Sequence, residues 1–348
     1  SKKELLDYQI EDIRIGDLIY DSYLRTYQEP TVDLSDKRLR RMILDALDVY
    51  FSCKEYFDTH RVKKVVISHS VYINYGILAR IALQRGIDVY NPLWEKVFHK
   101  LSIDHAIPTP RVSLYTEIFK EFSFQEKKQY RLDAKKILES RLKGNIDRGI
   151  AYMKDSPYQT VKKTTNIFLN DGRPKVVLML HCFYDAPHIY KSMLFEDFFE
   201  WVDFVLSRVE KMDVDFVVKP HPNGKPYNKS IIQDFQQKYP KVRFIDKNTS
   251  NKQIFSENIS ALLTVYGSIA HEFAYLGVPV LLAGDNPTSA YKFCYIAKNK
   301  IEYDYYLLNI YDLKLKLDLS KSAIEEFFYM HYLHPHMGRI KGNNDLFN

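Results

Sequence analysis

Residues 175 to 282 alternate short apolar runs with segments of helical periodicity, and this alternation constrains the fold more than any other feature of the chain. The run VVLMLH after Lys175 is continuously apolar, as expected for a parallel strand buried on both faces. Strands that alternate with helices at this rhythm predict a doubly wound parallel sheet. The predicted strands are 176–181, 215–219, 242–245, 261–265 and 278–282, and the predicted helices are 195–211, 229–239, 251–257 and 268–276.

The first third of the chain predicts a βαβ unit of its own. Residues 62–68 and 87–90 have strand character, and the segment between them, 71–85, has apolar residues at helical spacing and ends before Gly86. A further short strand is predicted at 111–115. The strongly charged stretch 123–154 indicates solvated helices.

With 348 residues the chain exceeds the usual size of one hydrophobic core, so we expect two domains. The predicted fold class is α/β, with two Rossmann-like domains facing across a cleft. The predicted boundaries are 1–172 for an N-terminal α/β domain with a helical linker, 173–320 for the second domain, and 321–348 for a C-terminal helix that packs back toward the N-terminal domain.

Composition narrows the class of protein. The net charge of +6 is spread along the chain, which suits phosphorylated substrates or an anionic membrane surface and gives no charge block that demands nucleic acid. The three cysteines, Cys53, Cys182 and Cys294, lack C-x-x-C spacing, so neither a disulfide framework nor a zinc knuckle is indicated. No run approaches the roughly 18 apolar residues of a membrane span. We expect a cytoplasmic protein that can associate peripherally with the inner face of the cytoplasmic membrane.

Polar residues follow three strands of the predicted second domain. The first strand ends at His181, the second ends at Lys219 shortly before His221, and Tyr266-Gly267-Ser268 follows a third. Ligands of open parallel sheets bind beyond the carboxyl ends of the strands, so these residues predict a binding site.

The helix that begins after Gly267 suggests how such a site would bind a nucleotide. Ser268 falls at the N-cap, where its hydroxyl and nearby backbone N–H groups can bind phosphate, and Gly267 allows close approach. Glu272 lies one turn further on and can accept from ribose hydroxyls. Lys219 and His221 add donors for a departing phosphate. The plainer interpretation is that Ser268 only caps the helix and that Glu272 is a surface charge.

At the level of motifs, the second half resembles the C-terminal domain of GT-B glycosyltransferases of the bacterial capsule and surface-polysaccharide family, which includes Kdo-transferase-like members. The matching stretches are HCFYDAPH, FEDFFEW, KPHPN and TVYGSIAHEFAYLGVPVLLAG. The resemblance implies a nucleotide-sugar donor, a glycan or lipid-linked acceptor and no metal or other cofactor. It also implies that His221 and Ser268 hold the donor phosphate and that Glu272 holds the ribose. Related sialyltransferase-like enzymes often have paired serines at this point, whereas this chain has Gly267-Ser268. The resemblance therefore does not decide between CMP-, UDP- and GDP-linked donors.

A glycosyltransferase that activates its acceptor directly needs a base near the acceptor hydroxyl. Three residues are candidates for this role. Asp21 lies in GDLIYDSYLR, His69 follows a predicted strand, and His181 is the last residue of another. The plainer interpretation is a turn carboxylate for Asp21 and a hydrogen-bonded loop histidine for His69.

Two apparent metal motifs are not expected to bind metal. Asp213 and Asp215 match D-x-D but precede a strand instead of following one, and His331, His334 and His336 lack carboxylate or cysteine partners at ligand spacing. Neither G-x-G-x-x-G nor a P-loop motif is present. Three alternatives to a sugar transferase stay open: a CDP-polyol-type phosphotransferase, a UDP-sugar 2-epimerase and a non-catalytic glycan- or nucleotide-binding scaffold.

Overall fold

The structure is a computed structural model that describes residues 1–93, 97–101, 112–151, 153, 155–159, 164–189, 193–222, 228–310, 317, 319–334 and 339–341. The chain forms two compact units. Unit 1 comprises Ser1–Arg111, Phe183–Lys191 and Pro335–Asn348, and unit 2 comprises Val112–Cys182 and Ser192–His334.

The helices and strands are numbered in chain order. The α-helices are α1 Lys2–Leu6, α2 Gly16–Tyr27, α3 Lys37–Thr59, α4 Tyr72–Gln84, α5 Tyr115–Lys120, α6 Phe124–Leu142, α7 Phe198–Val209, α8 Asn228–Lys238, α9 Asn251–Ser256, α10 Ile269–Tyr275, α11 Lys300–Leu308 and α12 Lys321–Phe328. The strands are β1 Gln9–Ile10, β2 Ile13–Arg14, β3 Lys64–Val66, β4 Asp88–Leu93, β5 Val97–Lys100, β6 Lys175–Met179, β7 Asp215–Lys219, β8 Arg243–Phe244, β9 Ala261–Thr264, β10 Val280–Leu282, β11 Tyr295–Ile296 and β12 Arg339–Lys341.

Unit 2 is built on a six-stranded sheet in the order β11-β10-β9-β6-β7-β8, and all its strand pairs are parallel. The chain runs outward in one direction from β6 through β7 to β8 and then outward in the other from β9 to β11. This is the doubly wound order, with its switch point between β6 and β9. The predicted α/β class and parallel sheet are confirmed. Strand β7, Asp215–Lys219, has the predicted bounds.

Helix α7 shows why this sequence covers the sheet with helices. Asp197 accepts a hydrogen bond from the Glu200 backbone N–H and caps the helix. Its apolar residues recur at helical spacing, and Trp201, Val202, Val205 and Leu206 are completely buried. The indole of Trp201 donates to the Tyr303 hydroxyl at 2.8 Å, which joins α7 to α11.

The boundary between the units differs from the predicted one at 172. Helix α6 belongs to unit 2, where the buried side chains of Ala134 and Leu138 share one core with Phe327 and Phe328 of α12. The C-terminal helix therefore packs within unit 2. The charged run that suggested a solvated linker has one buried face, and that face decides to which unit it belongs.

Unit 1 contains the predicted βαβ unit, in which β3 and β4 pair in parallel and α4 connects them. Its four-stranded sheet, β12-β5-β4-β3, is mixed, because β5 pairs antiparallel with both β4 and β12. Among the described strands of unit 1, the parallel order expected of a Rossmann-like half is thus limited to the β3–β4 pair. The strand predicted at 111–115 is wrong over its described residues, which form a 3₁₀ turn, Val112–Leu114, and the start of α5.

Candidate functional site

The switch point of the unit 2 sheet brings together the ends of β6 and β9. His181 follows β6, and Tyr266, Gly267 and Ser268 follow β9. In doubly wound sheets the crevice at this point is where ligands bind, because neighbouring connections leave in opposite directions there. The structure therefore brings four of the predicted site residues to one place.

His181 is held in one tautomer by the end of β9. Its Nε2 lies 3.3 Å from the backbone nitrogen of Tyr266, whose N–H can only donate, and 3.2 Å from the Thr264 hydroxyl. Nε2 is therefore an acceptor, and the ring proton belongs on Nδ1. The ring stacks on Phe198 with centroids 4.8 Å apart.

The environment of His181 opposes its protonation. Burial, followed by the positive charge of nearby His221, lowers the pKa of His181 to about 3. At neutral pH the imidazole is uncharged and presents an N–H at Nδ1. This arrangement suits a hydrogen-bond donor, and the candidate role of His181 as the general base stays a prediction.

Gly267, which is exposed, and Ser268, which is half-buried, lie after the end of β9. Gly267 has φ +131°, a backbone conformation that favours glycine. Ser268 is the N-cap residue of α10, as predicted, but its side chain makes no capping hydrogen bond. The hydroxyl of Ser268 is thus not used in the way that the plainer interpretation required.

Lys219 is the last residue of β7, the neighbour of β6, and His221 follows this strand. The Lys219 side chain is 3% exposed, and its Nζ donates to Asn251 Oδ1 at 2.6 Å. Burial lowers the pKa of Lys219 to about 7. Lys219 therefore lies beneath the surface of the site, whereas His221 is half-buried and close enough for its charge to act on His181.

Glu272 is 2% exposed and lies in a buried polar cluster. Its Oε1 accepts from Arg141 at 3.0 Å, and its Oε2 accepts from the Tyr158 hydroxyl at 2.8 Å. Arg141, which is completely buried, also binds Asp147 through two hydrogen bonds of 2.6 and 2.7 Å. The prediction that Glu272 holds ribose stays a prediction, and it requires one of these hydrogen bonds to be exchanged for a ligand hydroxyl.

Arg141, Tyr158 and Asn251 are site-supporting residues that the sequence did not suggest. Asn251 contacts both Lys219 and the Tyr158 hydroxyl, so a buried polar chain runs from the end of β7 to Glu272. His271, next to Glu272, is 1% exposed and packs against Phe327, Phe328 and Tyr332.

In unit 1, Asp21 on α2 is 3% exposed and pairs with His188, whose Nδ1 lies 2.5 Å from Asp21 Oδ1. His69 is half-buried against Tyr75, with ring centroids 4.2 Å apart, and burial lowers its pKa. The N-terminus of α4, just after His69, is fixed to α2 by a 2.9 Å hydrogen bond from Ile73 N–H to Ser22 Oγ. His188 had no assigned role in the sequence.

The residues of the apparent metal motifs have structural partners. Asp215 starts β7 at the amino edge of the sheet, as predicted, and accepts from Arg243 at 2.5 Å. His331 stacks on Phe327, His334 packs near Phe122, and His336 lies outside the described residues. Across the described part of the chain, no group of three or more His, Cys, Asp or Glu side chains is placed to hold a metal ion. None of the described helices is long and apolar enough to cross a membrane.

No protein-family model matches the sequence, and no curated protein matches it. Among solved structures, the Thermosulfurimonas dismutans KpsC β-Kdo 2,7 transferase aligns with 89% of this chain and 85% of its own, at 14% identity and a TM-score of 0.46. The β-Kdo 2,4 transferase of the same KpsC aligns with 74% and 76%, at 12% identity and a TM-score of 0.43. A UDP-GlcNAc 2-epimerase from Neisseria meningitidis aligns with 94% and 95%, at 10% identity and a TM-score of 0.31. The strand order of unit 2, rather than these likenesses, carries the fold assignment.

Proposed function

We propose that the protein is a glycosyltransferase that moves a sugar from a nucleotide-activated donor to a growing capsular or lipopolysaccharide glycan. The observation that carries this proposal is the fixed Nδ1–H of His181 at the switch point. It lies next to the exposed Gly267 and to the hydroxyl of Ser268, which makes no capping hydrogen bond. This strand end offers an uncharged imidazole N–H, a hydroxyl and backbone N–H groups. All of them can donate hydrogen bonds to a phosphate, whose negative charge grows as it leaves.

The donor phosphate is proposed to bind His181, His221 and Ser268. His221 supplies a half-buried imidazole beside His181. These groups would stabilise the leaving nucleotide without a metal ion or other cofactor. Lys219 is proposed to support the site indirectly, because its Nζ points into the protein and donates a hydrogen bond to Asn251 instead of to the phosphate. CMP-, UDP- and GDP-sugars all fit this chemistry.

The acceptor is proposed to be an oligosaccharide or a lipid-linked glycan, with no role for nucleic acid. We propose a cytoplasmic location, from which a lipid-linked acceptor would bring the protein to the inner face of the membrane as a peripheral enzyme. The net charge of +6 favours such an anionic surface.

A nucleotide panel tests the donor site. CMP, UDP or GDP, or one of their sugars, is expected to raise the melting temperature, because a ligand that binds only the folded state stabilises it. Ser268→Ala and His221→Ala should each weaken the binding of that nucleotide by about 10-fold, the usual effect of losing one hydrogen bond to a charged group. Ser256→Ala, at an exposed serine of α9, is the matched control and should bind normally.

Product analysis then separates the reaction classes. Transfer of sugar without phosphorus supports the proposal. Phosphorus retained in the product identifies a phosphotransferase, and conversion of free nucleotide sugar without acceptor identifies an epimerase. Nucleotide binding without turnover identifies a scaffold. If no nucleotide shifts the melting temperature and neither variant changes any transfer activity, the proposal is wrong.

A further inference from the structure

The outward side of helix α6 in unit 2 is apolar and cationic at the same time. Positions 124, 128, 132, 135, 136, 139 and 143 share one side, because a helix repeats every 3.6 residues. We call this set of residues the α6 face. Phe124 is 78% exposed and Leu132 is 45% exposed. The exposed lysines of the face are Lys128, Lys135, Lys136 and Lys143.

The opposite side of α6 makes the contacts that hold the helix in place. Ala134 and Leu138 are completely buried in the core of unit 2, and Arg141 forms its ion pairs in the interior. Ser123 and Glu126 form a capping box at the start of the helix. These contacts do not involve an exposed phenylalanine or a row of lysines, so the composition of the α6 face has another cause.

The charge of the α6 face is positive, since it has four lysines and one carboxylate. That carboxylate, Glu139, lies 3.9 Å from Lys135 in an exposed pair that contributes little to stability. Arg131 of the same helix differs from the lysines, because it pairs with Glu326 of α12 at 2.8 Å. An excess of exposed cations attracts an anionic partner over a distance of about 8 Å at physiological salt.

The apolar residues of the face distinguish between anionic partners. An acidic polysaccharide would contact the lysines and leave Phe124 and Leu132 in water. A bilayer interface accommodates both kinds of side chain, because apolar groups enter the acyl boundary while lysine stems extend to the headgroups. Ile146, three positions after Lys143, is 43% exposed and adds a further apolar group. The 19 residues of α6 span about 28 Å, long enough to lie along such a surface.

We propose that the α6 face is a docking surface for an anionic phospholipid bilayer, with α6 lying parallel to the membrane plane. This inference rests on the peripheral location proposed above and names the surface responsible for it. It does not depend on sugar transfer. Because α6 belongs to unit 2, the bilayer would hold the unit that contains the proposed donor site.

Sedimentation with lipid vesicles tests this surface in the full-length protein. The parent should sediment with vesicles of equal parts phosphatidylcholine and phosphatidylglycerol, should stay in solution with phosphatidylcholine alone, and should be released by salt. The triple variant Lys128→Gln/Lys135→Gln/Lys136→Gln should bind the anionic vesicles about 100-fold more weakly, because each lysine near such a surface contributes about fivefold. Phe124→Gln should weaken binding by about 10-fold through lost apolar burial.

Matched controls make the same chemical changes elsewhere in unit 2. The triple variant Lys211→Gln/Lys241→Gln/Lys247→Gln removes three exposed lysines outside α6, and Ile301→Gln removes an apolar side chain of α11 that is 83% exposed. Both should bind anionic vesicles as the parent does. Every substitution is at an exposed position, so the melting temperature and the nucleotide binding of each variant should match those of the parent.

Several results would overturn the proposal. Equal losses in the two triple variants would show that net charge, and not the α6 face, attracts the membrane. A parent that binds soluble dextran sulfate but no vesicles would identify an acidic glycan as the partner. A dimer detected by light scattering that Phe124→Gln abolishes, in a parent that binds no vesicles, would identify a second copy of the chain.

The vesicles contain no glycan, so this test is separate from that of the proposed function. A protein that binds anionic vesicles through the α6 face but binds no nucleotide would keep its docking surface and lose the proposed glycosyltransferase function. A protein that transfers sugar but does not sediment with anionic vesicles would keep that function and lose the docking surface.

Discussion

The backbone N–H of Tyr266 donates a hydrogen bond to Nε2 of His181 at 3.3 Å, and this contact joins the ends of β6 and β9. A backbone donor cannot reverse its direction, so it fixes the tautomer of the imidazole without the aid of another side chain. The preference for a neutral ring has consequences for stability as well as for ligand binding.

Stability should fall in acid because of His181. Its pKa drops from 6.5 to about 3 on folding, so below pH 6.5 the unfolded chain binds a proton that the folded chain does not. The resulting slope is up to about 1.4 kcal/mol of unfolding free energy per pH unit. His181→Gln, whose amide oxygen can still accept from Tyr266, should be less pH-sensitive than the parent in urea unfolding between pH 6.5 and 4. His271, whose pKa burial also lowers, is present in both proteins, so the difference isolates His181.

Lys219 should make stability depend on pH in the same direction, but in the alkaline range. The pKa of Lys219 is about 7 in the folded protein and 10.5 in the unfolded chain. Between these two pH values the unfolded chain binds more protons, so stability rises with pH. The rise is at most about 1.4 kcal/mol per pH unit, and Lys219→Met should lack it. Lys252→Met, at an exposed lysine, should keep the parent's slope. Parallel curves for the parent and Lys219→Met from pH 7 to 9 would show that Lys219 stays charged in the folded state.

Loss of Glu272 should destabilise unit 2 strongly. Glu272→Gln removes a charge that faces Arg141 in a completely buried site, and removing one partner of such a pair costs about 3 kcal/mol or more. Tyr158→Phe should cost about 1 kcal/mol, the value of one hydrogen bond. Arg141 and Tyr158 both bind the Glu272 carboxylate. In denaturant unfolding, the double variant Glu272→Gln/Tyr158→Phe should therefore lose less unfolding free energy than the sum of the losses in the two single variants.

The single variant Glu272→Gln also tests the predicted contact between Glu272 and the ribose. If Glu272 also binds ribose, a nucleotide that stabilises the parent should stabilise Glu272→Gln less than it stabilises Tyr158→Phe. Equal stabilisation of the two variants would restrict Glu272 to its structural role.

Gly267→Ala should weaken the proposed donor site through the backbone. A Cβ at this position would meet only His181 Cε1 at 3.7 Å, an ordinary contact, so the cost comes from φ +131°. We expect a loss of about 1–3 kcal/mol in stability together with weaker nucleotide binding. Gly86→Ala, at φ +72° with nothing within 4 Å of the added Cβ, is the control and should leave nucleotide affinity unchanged. Normal affinity in Gly267→Ala would remove this strand end from the site.

The sequence predicted β6, β7, β9 and β10 because each is largely an apolar run, whereas it did not predict β11, Tyr295–Ile296, which is only two residues long. It predicted the place of His181, Gly267 and Ser268 for the same reason. It could not predict that Glu272 is buried, because the cation that compensates it, Arg141, lies 131 positions earlier in a run that appears solvated. His188 was missed for a similar reason, since its partner Asp21 lies 167 positions away in sequence.

The Arg141–Glu272 contact also determines how this protein can be divided. Helix α6 supplies the guanidinium, and the rings of Phe328 and Tyr332 lie 4.9 and 4.8 Å from its central carbon. A fragment that starts at 173, where the strand pattern begins, would lack Arg141. The buried carboxylate of Glu272 would then have no cation to compensate its charge. A recombinant second half should therefore begin near 112 and extend to His334, and shorter fragments are expected to aggregate during purification.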